Sequence, residues 1–484
     1  MPLPVANAAR TPPARALPGT TARRPAPRRH VSPACALLCT VALVATAPAA
    51  AVEVEARTSP GGIDFLHAPL PDTDLVSVQV AWPSAWSYTE DAVAAPFVGG
   101  DLMLTGGAGE LGAAELQQAF EDLRVDGTIA VQPDHVYGTL NVAPANLDAA
   151  LDLAADVLVD PALDERWFER IRDGFASNVA EAKRATGTRV HDALARLVFG
   201  DVPLERTLTM EPASLAGAVT LEDVRRWHER TFTRAGATVV VAGDVGTEAA
   251  GEAVDRLLGE LPAGDAPAPP PEVDADFSAR TVLLHAPDSE ISAVALLGRL
   301  PPTADGDEIE DLVAVLALGA GEGSRLYEAI RTELRATYDV QALLDSQTRA
   351  LRGLLLYTEV DPAKLDAARR ALRDAYAAFR AEGPTEAEIA GGKRRIAEGL
   401  GRTFASPGPL GRSVLESALD GYGPERVPAM LEKEVGGASA KSVTKRLASG
   451  WPEVGSMIEV VVSPDAGAVE GACTVESLEE LEGC

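Results

Sequence analysis

The sequence is poor in the side chains that most often carry metal or nucleophilic chemistry. Its 484 residues include six histidines and four cysteines, and only 5% of the residues are aromatic. No two histidines lie two or three residues apart, and no C-x-x-C occurs. A zinc site needs three converging nitrogen, oxygen or sulfur ligands, usually two of them one helical turn apart. The sequence therefore excludes a zinc site of the usual spacing.

Other catalytic motifs are missing as well. There is no G-x-S-x-G, and the glycine-rich GAGEGS at 319–324 lacks the Lys-Ser/Thr ending of a phosphate loop. We interpret it as a turn between two helices. His228, followed by Glu229 and Arg230, is interpreted as a solvated surface histidine on a helix.

The first 51 residues lack lysine and acidic residues and differ in composition from the rest. Six arginines precede the apolar run ACALLCTVALVATA at 34–47, and small residues follow, with cleavage sites after Ala49 or Ala51. This order is typical of a secretory signal peptide. A transmembrane anchor is the alternative, but the run is short for a bilayer. We predict export to the periplasm or the extracellular space, with no integral membrane span.

Basic residues are scarce in the remaining chain. Without the six arginines of the signal peptide, 37 basic residues stand against 72 acidic ones, a net charge of −35. Such a surface repels phosphate backbones, so we exclude a nucleic-acid partner. Only Cys473 and Cys484 remain, both in an acidic tail at 465–484. They could form a disulfide or stay as two free thiols.

A proline-rich segment at 262–276 divides the chain into halves at 52–261 and 277–464. Each half shows the order strand, two helices, strand pair, long helices, strand, with an offset of about 215 residues, which indicates duplication of a whole domain. The first half has predicted strands at 76–82 and 237–245 and a helix at 113–123, and the second has strands at 292–300 and 457–464. We predict an α+β fold of two homologous domains, each a largely antiparallel sheet packed on one face by helices.

Several phrases in this order resemble a known family. They are LPDTDLVSVQVAWPSAW, NLDAALDLAADVLVDPALDERWFERIRD, TLEDVRRWHERTF, VVVAGDV and GAGEGSRLYEAIRTELRATYDVQA. The chain resembles the pitrilysin/insulinase-type metallopeptidases, or inverzincins, in the branch of mitochondrial-processing-peptidase-like subunits. The resemblance extends over essentially the whole chain after the signal peptide.

The family's H-x-x-E-H motif binds zinc through two histidines, and its glutamate is the general base. The resemblance aligns it with PFVGGDLMLTGG at 96–107, where Val98 and Leu102 replace the histidines and Asp101 replaces the glutamate. The family's third ligand, a later glutamate, corresponds to Asn178, with Glu181 as a neighbour. The resemblance thus implies a zinc motif that has degenerated, and no metal cofactor in this chain.

The resemblance also implies a substrate-binding pair in the second half. In the family phrase R-x-x-x-x-x-x-Y, an arginine and a tyrosine face the zinc and hold the peptide. The corresponding phrase here is IRTELRATY, which contains Arg331 and Tyr338. Their alternative roles are structural, as a helix-end cation near Glu328 or Glu333 and as a core aromatic.

These expectations define a non-catalytic, substrate-binding subunit of an exported heterodimeric zinc metallopeptidase that cleaves peptides. Its partner would be a homologous chain that carries H-x-x-E-H, and zinc would be bound only there. The alternative is a stand-alone envelope scaffold or peptide-binding protein that kept the fold without catalysis.

Overall fold

The computed structural model describes most of the chain after the predicted signal peptide. The described ranges are 53–83, 93–132, 135–200, 209–210, 214–265, 274–302, 308–337, 339–346, 351–429 and 435–484. The predicted signal peptide at 1–51, most of the predicted linker and Tyr338 lie outside the described residues.

Fourteen strands are found in the described ranges. They are β1 (Glu55–Thr58), β2 (Asp64–Pro69), β3 (Val76–Pro83), β4 (Gly107–Ala108), β5 (Leu111–Gly112), β6 (Asp126–Val131), β7 (His135–Val142), β8 (Thr238–Gly243), β9 (Arg280–His285), β10 (Ser292–Leu300), β11 (Val340–Ser346), β12 (Arg352–Val360), β13 (Ile458–Ser463) and β14 (Cys473–Val475).

The longer helices pack on these strands. They are α1 (Ala95–Thr105), α2 (Ala113–Leu123), α3 (Leu147–Val159), α4 (Glu165–Ala182), α5 (Thr186–Phe199), α6 (Leu221–Thr231), α7 (Thr247–Leu258), α8 (Glu308–Gly319), α9 (Leu365–Glu382), α10 (Glu386–Phe404), α11 (Pro407–Leu419) and α12 (Ala440–Gly450). Short helical turns lie at Pro144–Asn146, Ala216–Ala218, Pro362–Lys364, Arg426–Ala429, Val435–Gly437, Val454–Ser456 and Glu479–Gly483, and a π-helix lies at Tyr327–Glu333.

Each half contains one six-stranded sheet, in the order β1-β2-β8-β3-β7-β6 and β11-β12-β10-β13-β9-β14. Most neighbouring strands are antiparallel, but β2–β8, β13–β9 and β9–β14 are parallel. The prediction of two similar α+β halves with largely antiparallel sheets is confirmed. The predicted strand at 292–300 and helix at 113–123 have the observed bounds of β10 and α2.

The central strand of the first sheet is buried on both faces. Along β3, Val76, Val78, Val80 and Trp82 point into the core formed with the helices of the same half. Ala81 belongs to a second cluster, on the opposite face, with residues of α11 from the other half. The sequence predicts helices on one face of each sheet. In the structure, a helix from the other half covers the second face of the first sheet as well.

The two halves exchange one helix each. Helix α11 of the second half packs on β3 and β8, and Gln79 Nε2 donates to the carbonyl oxygen of Gly408 at 2.7 Å. Helix α5 of the first half packs on β10 and β13 in the same way. Because each exchanged helix covers an apolar sheet face, each half supplies part of the other's core.

The acidic tail is folded onto the second sheet. Residues 473–475 form β14 beside β9, and Cys473 is joined to Cys484 by a disulfide. Strand β14 takes the outer position that β1 takes in the first sheet.

Candidate functional site

Helix α1 contains the positions that the sequence resemblance assigns to the zinc motif. It begins with a proline in its first turn and contains no basic residue. Its sequence, APFVGGDLMLT, is apolar on nearly every side, and a helix of that composition is stable only when it is buried. It packs against α4, α6 and β6, so its apolar surface is covered.

Val98 and Leu102 are the residues that the sequence resemblance aligns with the two histidines. Both are 0% exposed and belong to the core of the first half. Their side chains are hydrocarbon and have no lone pair for a metal, and the core around them is apolar. These residues do not fit a zinc ion, and no step of metal chemistry can be assigned to them.

The two glycines between them allow close packing. A Cβ on Gly99 would lie 2.5 Å from Cζ3 of Trp227, and one on Gly100 would lie 3.3 Å from Cγ2 of Ile129. Glycine weakens a helix by about 1 kcal/mol relative to alanine. Here it lets α1 approach the ring of Trp227 on α6, so the motif positions are part of a tightly packed interface.

The carboxylate positions lie on two helices. Asp101 is exposed on α1. Asn178 lies within α4, and its side chain is outside the described residues, whereas Glu181 is exposed on the same helix. Within the described residues, no group of three histidine, cysteine, aspartate or glutamate side chains could hold a metal ion.

Two histidines of the first half, His67 and His228, have ring nitrogens within hydrogen-bond distance of backbone carbonyl oxygens. His228 is not the solvated residue that the sequence indicates, because it is partly buried and its Nε2 lies 2.8 Å from the carbonyl oxygen of Leu158. Burial lowers the pKa of His228, against the opposing effect of that hydrogen bond. Burial likewise lowers the pKa of His67, whose Nε2 lies 3.1 Å from the carbonyl oxygen of Val245.

Arg331 lies in the π-helix, a rare conformation that is common at functional sites. Its Nη1 donates to the carbonyl oxygen of Thr337 at 2.6 Å. Thr337 Oγ1 donates to the carbonyl oxygen of Asp339, which also accepts from Thr358 Oγ1. The described residues on both sides of Tyr338 are thus held by hydrogen bonds, and Arg331 contributes one of them.

An open pocket of about 500 Å³ adjoins this segment. It is lined by Tyr327, Arg331, Thr332, Arg335, Ala336 and Thr337. Arg335 is exposed and has a left-handed backbone, with φ of 49°, and Lys364 Nζ donates to its carbonyl oxygen at 2.7 Å. Two guanidinium groups therefore line one pocket, where they can donate to carbonyl or carboxylate oxygens. The family phrase pointed to Arg331 and Tyr338, whereas Arg335 and Thr337, which lie in the same stretch, were not predicted from the sequence.

The chain is similar in sequence to known proteins. Residues 218–396 match the sequence profile described as "Peptidase M16 inactive domain". An uncharacterized zinc protease of Mycobacterium leprae is 28% identical over 369 residues, which cover 74% of this chain and 81% of the relative. Residues 218–396 therefore match an M16 inactive domain, and the chain is similar to a zinc protease over 74% of its length.

Solved structures of M16-type proteins share the fold. The peptidase M16 inactive domain from Pseudomonas fluorescens superimposes with a TM-score of 0.77 at 17% identity, over 86% of this chain and 98% of that one. The first half of the periplasmic protease PqqL from Escherichia coli gives a TM-score of 0.68 at 14% identity, over 89% and 96% of the two chains. These likenesses show that the chain has the fold of M16 domains.

Proposed function

We propose that this M16 protein is the non-catalytic, substrate-binding subunit of an exported heterodimeric zinc metallopeptidase. Its partner is a homologous chain with an intact H-x-x-E-H motif, which binds the zinc and cleaves the peptide. This chain contributes part of the peptide-binding surface and binds no metal of its own.

The burial of Val98 and Leu102 carries this proposal. A single lost ligand could be replaced by a neighbouring side chain, but here both histidine positions are filled by core residues. Restoring a metal would require two polar side chains inside that core, at a cost of roughly 1–3 kcal/mol each without new hydrogen bonds. In this proposal, the packing of α1 prevents zinc binding at these positions and so prevents catalysis by this chain.

The second half supports the substrate-binding role. Arg331 and Arg335 line an open pocket, and the hydrogen bond from Arg331 to Thr337 orients the segment that leads to Tyr338. Arginine suits peptide binding because its planar guanidinium can donate two parallel hydrogen bonds. In the proposed complex, Arg331 and Tyr338 hold the peptide bound at the partner's zinc.

Three observations support export. The apolar run after the six arginines has the composition of a signal peptide, and a periplasmic protease has a similar fold. A disulfide such as Cys473–Cys484 persists in oxidising compartments. As a separate finding, no helix among the described residues has the length and apolar composition to cross a bilayer.

The test is reconstitution with the H-x-x-E-H-bearing homologue encoded in the same genome. We expect this chain alone to hold no stoichiometric zinc and to cleave no internally quenched peptide, whereas the mixed chains form a complex and cleave it. Arg331→Ala should lower kcat/KM of the complex by about tenfold to a hundredfold, the effect of losing a charged hydrogen bond. Arg331→Lys, which keeps the charge, should lower kcat/KM less.

Three outcomes would contradict the proposal. Zinc-dependent cleavage by this chain alone would show that it is a peptidase. Full activity of the partner without this chain, with no complex on size exclusion, would favour the stand-alone scaffold. If Arg331→Ala lowers the melting temperature while the surviving complex has full activity, Arg331 is structural.

A further inference from the structure

Helix α5 is attached to the second half over its whole length. Its side chains Val190, Leu194 and Val198 are buried against the second sheet. Near its first turn, Arg189 Nη2 donates to both carboxylate oxygens of Asp288, at 3.0 and 2.9 Å. Near its last turn, the amide of Asp276 donates to the carbonyl oxygen of Val198 at 2.8 Å. Helix α5 is therefore one of the two exchanged helices that join the halves, the other being α11.

The disulfide loop, residues 473–484, adds a further attachment. It begins with β14 on the edge of the second sheet and ends in the helical turn Glu479–Gly483, which contacts α5. Leu481 is 3% exposed and shares the apolar cluster of α5, and Glu482 Oε1 lies 3.5 Å from Arg196 Nη2. The loop thus pairs with the second sheet through β14, and its other end, Glu479–Gly483, packs on α5 of the first half.

The exchanged helix α11 has no such covalently closed loop. The outer strand of the first sheet is β1, and the chain after residue 51 contains only the two cysteines of the disulfide loop. The two exchanged helices are otherwise placed alike, so α11 serves as an internal reference for α5.

We propose that the redox state of the disulfide loop controls how tightly helix α5 of the first half is held on the sheet of the second half. While the disulfide is closed, the loop has few alternative conformations, and Leu481 is held against the α5 cluster. When the disulfide is reduced, residues 476–484 lose that constraint, and α5 separates more often from the second sheet. The interface at α11 does not change.

The reductant is a dithiol, either a small molecule or a dithiol oxidoreductase. One of its thiolates attacks a sulfur of the Cys473–Cys484 bond, which breaks to give a mixed disulfide and a cysteine thiolate that takes up a proton. The second thiol of the reductant then attacks the mixed disulfide and releases the other cysteine. Two electrons pass to the protein, which gains two thiols, and the reductant becomes a disulfide.

The test is hydrogen exchange of the backbone amides in the mature protein, before and after reduction with dithiothreitol. We expect exchange in α5, residues 186–199, to become roughly tenfold faster, because opening a loop of this size shifts local opening equilibria by up to about a hundredfold. Exchange in α11, residues 407–419, should change less than twofold. The double variant Cys473→Ser, Cys484→Ser should reproduce the reduced protein without a reductant.

Leu481→Ala separates the contact from the covalent bond, since it keeps the disulfide but removes the buried side chain. It should speed the exchange of α5 in the oxidised protein. Faster exchange in the loop alone, with α5 unchanged on reduction, would overturn the proposal. Equal acceleration of α5 and α11 would also overturn it, because it would indicate general destabilisation.

Discussion

At the scale of single residues, the packing of α1 as well as its chemistry opposes zinc binding at the positions that the family resemblance assigns to the motif. Val98 and Leu102, which the resemblance aligns with the two histidines, are 0% exposed, and Gly99 lets Trp227 pack closely on the same helix. A histidine pair at these positions would need space and hydrogen-bond partners that an apolar core does not supply. The site therefore cannot be restored by the two ligands alone.

The double variant Val98→His, Leu102→His tests this conclusion. We expect it to lose roughly 2–6 kcal/mol of folding free energy, because two polar rings are placed in a filled apolar core. It should also bind no stoichiometric zinc. Denaturant unfolding and metal analysis after dialysis measure the two effects.

Asp101→His is the matched control on the same helix. Asp101 is exposed, so this variant should change the stability by less than about 1 kcal/mol. A double variant as stable as the wild type, with one zinc per chain, would show that α1 can still form the site.

At the scale of elements, hydrophobic patterns predicted most strands and helices well. The strand at 292–300 and the helix at 113–123 have their predicted bounds, because alternation or helical periodicity is clear there. The positions Val98, Asp101 and Leu102 came from a family resemblance, since nothing in PFVGGDLMLTGG itself indicates a former metal site. Val98 and Leu102 are buried because α1 packs against other elements, among them α6, which lies more than 100 residues later in the sequence.

The exchanged helices and β14 could not be predicted in the same way. Helix α5 has no side-chain cap at its start, and α11 begins at Pro407 within a stretch rich in proline and glycine. Strand β14 has only three residues in an acidic tail. Each is stabilised by a sheet elsewhere in the chain, and local patterns do not state which surface an apolar helix will cover.

The contact between α6 and α3 gives a prediction of pH dependence. His228 on α6 is held neutral beside the carbonyl of Leu158 at the end of α3, and burial lowers its pKa below the ordinary 6.5. The unfolded chain therefore binds a proton on acidification that the folded chain does not, so stability falls as the pH drops below 6.5. One such group contributes at most about 1.4 kcal/mol per pH unit.

Replacing His228 by glutamine should make the fall in stability between pH 7.5 and pH 5.5 less steep.

His191→Gln should make this fall in stability steeper. Burial acts to lower the pKa of His191, but Asp192 and Asp345 outweigh it and raise the pKa. Its stabilising effect is present below pH 6.5 and is lost as the pH rises. Thermal melts at pH 5.5 and pH 7.5 measure the change in stability for the wild type and for both variants. An equal change in all three proteins would contradict the assignment.

At the scale of the whole molecule, the exchange of helices makes the halves interdependent. Alone, the first half would expose the face of its sheet that contains Val240 and Ala242, together with the apolar side of α5. The second half would expose the corresponding face and α11. Exposed apolar surfaces of this kind lead to association or aggregation. The duplicated domains are thus similar in fold without being independent in stability.

Two separate chains, residues 52–265 and 274–484, test this interdependence. We expect each alone to aggregate or to melt without a cooperative transition, and the two produced together to copurify and melt cooperatively, because α5 and α11 then find their sheets. Leu410→Asp in the second chain should prevent copurification, since Leu410 is buried on the first sheet. Glu416→Ala, an exposed position on the same helix, should not prevent it. If either half alone gives a soluble monomer with a cooperative melt, the exchanged helices are dispensable for folding, and the two halves are independent domains.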